Sequence, residues 1–94
     1  MIPLKLIDDK ANADINLSGV QTNSKMIQNG NLFVAINGNN HNGEDYIDEA
    51  VGKGAVAILT SNKEIEKENI PIIFHQNPRQ KLSELSKLFF PSSP

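Results

Sequence analysis

The sequence predicts a small three-layer α/β/α domain, in which helices cover both faces of a mixed, largely parallel sheet. Short apolar runs of strand length alternate with segments of helical periodicity. One strand, helix and strand follow each other within so few residues that they must form a βαβ unit. A chain of 94 residues encloses about one hydrophobic core, so we expect no second, catalytic domain.

The sequence predicts four strands. The first, residues 17–22, ends in a polar stretch and a Gln-Asn-Gly turn signal. The next, residues 32–36, is the continuous apolar run Leu-Phe-Val-Ala-Ile, which is typical of a strand covered on both faces. Residues 55–59 form a second run of this buried type, and residues 71–74 form the last strand. Because helices intervene, most of these strands should run parallel.

Two helices complete the predicted fold. Asn42 can cap the first helix and Gly54 can end it as the C′ glycine. Its apolar face is predicted to consist of Tyr46, Ile47, Ala50 and Val51. Asn77 and Pro78 open the second helix as its cap and first-turn proline. The inward stripe of that helix is predicted to consist of Leu82, Leu85, Leu88 and Phe89.

Composition excludes several classes of function. The net charge is -2, with one Tyr and no Trp, whereas nucleic-acid binders carry basic patches and stacking aromatics. The absence of Cys excludes disulfides and thiolate zinc sites. Nothing in the sequence resembles a signal peptide or a membrane span, so we expect a cytoplasmic protein with neither a nucleic acid nor a membrane as its partner.

The loop at residues 38–43 carries the most suggestive chemistry. Strand, Gly-x-x-x-x-Gly and helix frame a phosphate-binding P-loop, but Glu44 and Asp45 stand where that loop needs Lys and Ser or Thr. ATP is therefore excluded at this loop. Two interpretations stay open: a plain surface loop, or one in which Asn39, Asn40 and His41 bind a neutral, polyhydroxylated or uracil-like ligand.

No catalytic or metal-binding residue is evident. The only histidines are His41 and His75, and neither has a Cys or a carboxylate cluster at ligand spacing. Ser24 follows a strand end without a nucleophile elbow, so we interpret it as a hydrogen-bonding residue at most. We expect no metal and no cofactor in this chain.

The order of motifs adds to this interpretation. Residues 21–25 (Gln-Thr-Asn-Ser-Lys), 29–38 and 42–47 resemble successive motifs in the first domain of the Mur ligases, and residues 53–58 resemble the helix-to-strand passage that follows. Asn23, Lys25 and Asn31 replace the Asp, Arg and Asp that are usual there, which predicts softened ligand contacts. The end of the last helix is most similar to the MurE type, with the MurF type as the competing alternative.

The resemblance implies a function. Residues 1–90 would be the UDP-sugar-binding domain, and residues 91–94 would begin a linker to an absent ATP-binding domain. The parent ligase would use ATP and Mg²⁺ to extend UDP-N-acetylmuramoyl-L-Ala-D-Glu, and this domain, a monomer, would hold the UDP part. By position, the resemblance implies that the contacts come from Thr22, Ser24, Asn39, Asn40 and His41. A stand-alone, non-catalytic nucleotide-sugar-binding module is the alternative from another class.

Overall fold

The main sheet of the protein is entirely parallel within the part described. The computed structural model describes residues 2–4, 15–37, 42–67 and 70–89. The six strands there are β1 (Ile2–Pro3), β2 (Asn16–Leu17), β3 (Gly19–Gln21), β4 (Asn31–Ala35), β5 (Ala57–Thr60) and β6 (Ile72–Phe74). The last four pair in chain order, each parallel to the next, while β1 and β2 form a separate antiparallel ribbon. The predicted α/β class is confirmed, and among the described strands antiparallel pairing is confined to the ribbon.

Strand β4 lies at the centre of the core, as its apolar sequence predicts. All five of its residues are buried. Leu32 and Val34 contact the apolar cluster on one face of the sheet, and Phe33 and Ala35 contact the cluster on the other. This division follows from the two-residue period of a strand. A run of apolar residues without alternation therefore indicates a strand that is buried on both faces of the sheet.

Two helices supply the outer layers. The helix α1 (Ile47–Gly52) places Ile47 and Ala50 against the Phe33 face, and α2 (Pro78–Phe89) places Leu85 against the Leu32 face together with the β1–β2 ribbon. The three-layer prediction is thus confirmed. No helix among the described residues is long and apolar enough to cross a membrane.

Two details of the predicted elements were wrong. Residues Gly43–Tyr46 form a 3₁₀ turn rather than the start of the α-helix, and this changes which side chains face the sheet. Tyr46 is 39% exposed and Val51 37% exposed, so the inward face of the short α1 consists of Ile47 and Ala50. The predicted strand 17–22 is interrupted at Ser18, where the backbone N–H donates to the Gly30 carbonyl at 2.9 Å.

The predicted capping residues are confirmed, although Asn42 caps the 3₁₀ turn that precedes α1 rather than α1 itself. The Asn42 side chain accepts a hydrogen bond from the Glu44 N–H at 3.2 Å, and the Asn77 side chain accepts one from the Gln80 N–H at 3.2 Å. Gly54 follows α1 with a φ of 118°, in the region that favours glycine. These residues mark where each helical segment begins or ends. The Leu88 and Phe89 side chains of the predicted stripe lie outside the described residues.

Candidate functional site

A cleft opens at the carboxyl ends of β3 and β4. Its volume is about 730 Å³. It is lined by Thr22, Asn23, Ser24, Lys25, Ile36, Gly43, Tyr46, Arg79 and Leu82. Parallel α/β sheets bind ligands in crevices outside the carboxyl ends of their strands. The position of this cleft makes it the candidate site.

The first wall of the cleft is the turn that follows β3. Thr22 is the first residue after the strand and is exposed. Asn23 begins the 3₁₀ turn Ser24–Met26, because its side chain accepts a hydrogen bond from the Lys25 N–H at 2.9 Å. Asparagine caps a helical turn about as well as aspartate does. Asn23 thus stabilises the turn and also lines the cleft, and its effect on ligand contacts stays a prediction.

Ser24 occupies the inner part of this wall. It is only 5% exposed, and its Oγ donates a hydrogen bond to the Glu49 carboxylate on α1. A serine hydroxyl has one proton and two lone pairs. With the proton directed to Glu49, the oxygen retains acceptor capacity, and Ser24 is one of the residues that line the cleft.

The second wall depends on a close approach between two backbone segments. The Gly43 N–H donates to the Ile36 carbonyl at 3.1 Å, and Asn37 and Asn42 form an isolated antiparallel bridge. A Cβ at Gly43 would lie 2.6 Å from the Ile36 nitrogen. Only glycine permits this approach, which brings Asn42 beside Asn37.

The Glu44 carboxylate joins the ends of two neighbouring strands. It accepts hydrogen bonds from Asn37 Nδ2 at 2.6 Å and from Asn62 Nδ2 at 2.7 Å. Asn37 follows β4 and Asn62 follows β5. The acidic residue that excludes a P-loop at this position thus has a structural function, since it fixes the carboxyl edge of the sheet beside the cleft.

Two of the five predicted site residues line the same cleft, and the other three lie outside the described residues. Thr22 and Ser24 both line the cleft. Asn39, Asn40 and His41 lie outside the described residues. The second histidine, His75, stabilises the turn before α2, because its Nδ1 accepts a hydrogen bond from the Asn77 N–H at 3.0 Å.

Sequence reasoning did not assign Tyr46, Leu82 or Arg79 to the site. Tyr46 was assigned to the core and Arg79 was given no function, whereas the predicted inward position of Leu82 is confirmed, since Leu82 also packs against the core cluster. All three line the cleft. Arg79 lies in the first turn of α2 and is exposed. A basic residue directly after a helix cap at a strand's carboxyl end was the available signal.

The cleft lining does not fit an ATP–magnesium complex. Its charged side chains are cations, so it supplies no carboxylate for Mg²⁺. Within residues 2–4, 15–37, 42–67 and 70–89, no group of three or more His, Cys, Asp or Glu side chains is placed to hold a metal ion. We therefore assign no step of ATP chemistry to these residues.

Asn31, expected to weaken a ligand contact, lies away from the cleft. It begins β4, at the amino ends of the strands, and is 6% exposed. Its Oδ1 accepts from the Gln28 N–H at 2.9 Å and its Nδ2 donates to Ser18 Oγ at 3.2 Å. That expectation was wrong, because the side chain joins β3 to β4 at the opposite edge of the sheet.

Known proteins match both the sequence and the fold. The model of the Mur ligase family, catalytic domain, matches residues 16–90. The UDP-N-acetylmuramoyl-L-alanyl-D-glutamate–2,6-diaminopimelate ligase of Wigglesworthia glossinidia is 39% identical over 83 residues, covering 81% of this chain and 17% of that protein. The ligase of the same name from Fusobacterium nucleatum is 35% identical over 89 residues, covering 95% of this chain and 18% of that protein.

A solved structure agrees with these relatives. The MurF ligase of Thermotoga maritima, in complex with ADP, superposes with a TM-score of 0.65 at 31% identity, covering 80% of this chain and 17% of that one. The chain thus spans less than a fifth of the length of each of these proteins. It belongs to the Mur ligase family, as an N-terminal domain homologous to that of the MurE ligases.

Proposed function

We propose that the chain is the UDP-binding domain of a MurE-type ligase of peptidoglycan precursor synthesis. In that function it holds the UDP part of UDP-N-acetylmuramoyl-L-Ala-D-Glu, the substrate that its MurE relatives are named for. The observation that supports this most is the cleft at the carboxyl ends of β3 and β4, which both Thr22 and Ser24 line. Asn39, Asn40 and His41 would complete the contacts.

The chemistry of the cleft supports a nucleotide ligand. About 730 Å³ lies within the range of small-molecule sites, roughly 300 to 1,000 Å³. Ile36, Tyr46 and Leu82 supply apolar and aromatic surface for a base, while Ser24 Oγ accepts from a ring N–H or a ribose hydroxyl. The two cations of the lining favour a ligand with negative charge.

The parent enzyme would be an ATP-dependent, amide-forming ligase that also requires Mg²⁺. Residues 1–90 would form its first domain and residues 91–94 the beginning of the linker to its ATP-binding domain. The parent would work as a cytoplasmic monomer. The chain alone would hold substrate without turning it over, because its P-loop-like segment has Glu44 and Asp45 where phosphate-binding residues are needed.

A MurF-type parent is the second candidate, and the Thermotoga maritima MurF structure favours it at 31% identity. A stand-alone module that binds nucleotide sugars without catalysis is the third. The MurE relatives are named for UDP-N-acetylmuramoyl-L-alanyl-D-glutamate, and a ligase of Acinetobacter baumannii is named for the longer precursor that already carries 2,6-diaminopimelate. The two precursors share their UDP end and differ in the peptide. The two types should therefore share UDP binding in this cleft, and binding of the peptide part by the whole protein would separate them.

The test is a titration of isotope-labelled chain with UDP, followed through backbone amide shifts. We expect saturable shifts at residues 22–25 and 42–46, with a weak affinity because one domain encloses only one end of the substrate. Residues 62–67 provide an internal control on the β5–β6 side of the sheet. Shifts confined to that segment, or none at millimolar UDP, would refute the assignment.

A further inference from the structure

We propose that Arg79 and Lys25 form the anion-binding end of the cleft and hold the diphosphate of the ligand. This inference rests on the proposed function. It assigns a contact to Arg79, which the sequence analysis did not identify, and it assigns a specific part of the ligand to Lys25 of the motif at residues 21–25. Both side chains are exposed and both line the cleft. They reach it from separate elements, Lys25 from the turn after β3 and Arg79 from the first turn of α2.

The topology explains why these two residues line the same cleft. Lys25 follows the carboxyl end of β3, at one edge of the sheet. Arg79 follows the carboxyl end of β6, at the other edge, but α2 returns across the sheet to pack against β3 and β4. The start of α2 is thereby brought to the same cleft as the turn after β3.

The charge of the cleft is opposite to that of the chain. The chain carries a net charge of -2, with 11 acidic and 9 basic residues. The lining of the cleft nevertheless has two cations and no carboxylate. Among the described residues, the ion pairs are Lys67 with Asp48 and Lys81 with Glu84, so neither Arg79 nor Lys25 is neutralised by one. Positive charge is concentrated where the ligand would lie.

The hydroxyl of Ser24 cannot serve the phosphates in this arrangement. Its proton is donated to the Glu49 carboxylate, and phosphate oxygens are acceptors that need a donor. The planar guanidinium of Arg79 offers several donors in a fork that matches phosphate oxygens, and Lys25 adds a compact charge. The uridine would therefore lie toward Ser24 and the diphosphate toward the two cations.

The test compares UDP with uridine, which lacks phosphate, on wild-type chain and variants. We expect Arg79→Gln to weaken UDP binding by about tenfold, as for loss of one charge-assisted contact in an open cleft, and to leave uridine binding within about twofold. Lys25→Gln should act in the same direction. Arg79→Lys should retain part of the UDP affinity, because it keeps the charge and loses the fork.

Lys87→Gln is the matched control, since it removes the same charge from the last turn of the same helix. It should leave UDP affinity unchanged. Equal denaturation midpoints of wild type and Arg79→Gln would show that folding is unaffected. The anion assignment is wrong if UDP affinity is unchanged in both cleft variants, or if Arg79→Gln weakens the binding of uridine and of UDP equally. In either case, uridine binding by the wild type would still support the proposed function.

Inorganic pyrophosphate separates the two hypotheses further. Wild-type chain that binds pyrophosphate but not uridine would contradict the proposed function, and an Arg79→Gln effect on pyrophosphate would still support the anion site. Wild-type chain that binds none of the three ligands would overturn both.

Discussion

Gly43→Ala should be among the most disruptive single-methyl changes in the domain. The added Cβ would lie 2.6 Å from the Ile36 nitrogen, 2.8 Å from the Ile36 oxygen and 2.9 Å from the Ala35 carbonyl carbon. All three are backbone atoms at the end of the central strand, so no side chain can rotate away from the methyl group. The 3₁₀ turn Gly43–Tyr46 must move away from β4.

The cost follows from that displacement. Overpacking a well-packed site costs about 1 to 3 kcal/mol. The same movement stretches the hydrogen bond from the Gly43 N–H to the Ile36 carbonyl, now 3.1 Å, and a typical bond contributes about 0.5 to 1.5 kcal/mol. We therefore expect the free energy of unfolding to fall by roughly 2 to 4 kcal/mol. UDP binding should weaken as well, because Gly43 lines the cleft.

Gly52→Ala is the matched control. Gly52 is the last residue of α1, and a Cβ there meets nothing within 4 Å. Alanine in a helix is more stable than glycine by about 0.5 to 1 kcal/mol. Urea denaturation followed by far-UV circular dichroism suits a chain without Trp. A Gly43→Ala midpoint equal to that of the wild type, or above that of Gly52→Ala, would refute the reasoning.

Four further outcomes are expected. Leu85→Ala should destabilise the domain by about 2 to 5 kcal/mol, since Leu85 is 1% exposed, whereas Ser83→Ala on the exposed side of α2 should be nearly neutral; equal denaturation midpoints would contradict this. Asn31→Ala should lower stability by about 1 to 3 kcal/mol and leave UDP affinity unchanged in the same titration. Ser24→Ala should weaken UDP binding by about threefold to tenfold without unfolding the domain, as measured by amide shifts. Purified chain should show no Mg²⁺-dependent ATP turnover above a mock preparation.

The layers of the fold were predictable because local signals coincide with the tertiary arrangement. The apolar run at residues 32–36 needs cover on both faces wherever it lies, and β4 has it. Asn42, Gly54 and Asn77 mark element ends through bonds within a few residues. Such signals are read correctly from sequence since they depend little on the rest of the chain.

The predictions failed where the position of a side chain depends on residues distant in the sequence or on the type of helical turn. Tyr46 fits a helical stripe only if the helix is α throughout, and the 3₁₀ turn before α1 directs it to the cleft instead. The bond from Ser24 to Glu49 joins residues 25 positions apart. The presence of Arg79 in the same cleft as Lys25 depends on the return of α2 across the sheet. No local pattern encodes these juxtapositions.

The two edges of the parallel sheet divide stability from binding. At the amino edge, Asn31 uses both atoms of its amide on Gln28 and Ser18, and Gly54 lies against Asn29 with no room for a Cβ. These groups are occupied by hydrogen bonds and contacts within the protein, so changing them alters stability. At the carboxyl edge, Ser24 keeps lone pairs free and Arg79 keeps its donors, so changing them should alter affinity. A replacement of Asn31 at the amino edge should therefore change stability more than affinity, whereas a replacement of Lys25 stands at the edge where the ligand would be held.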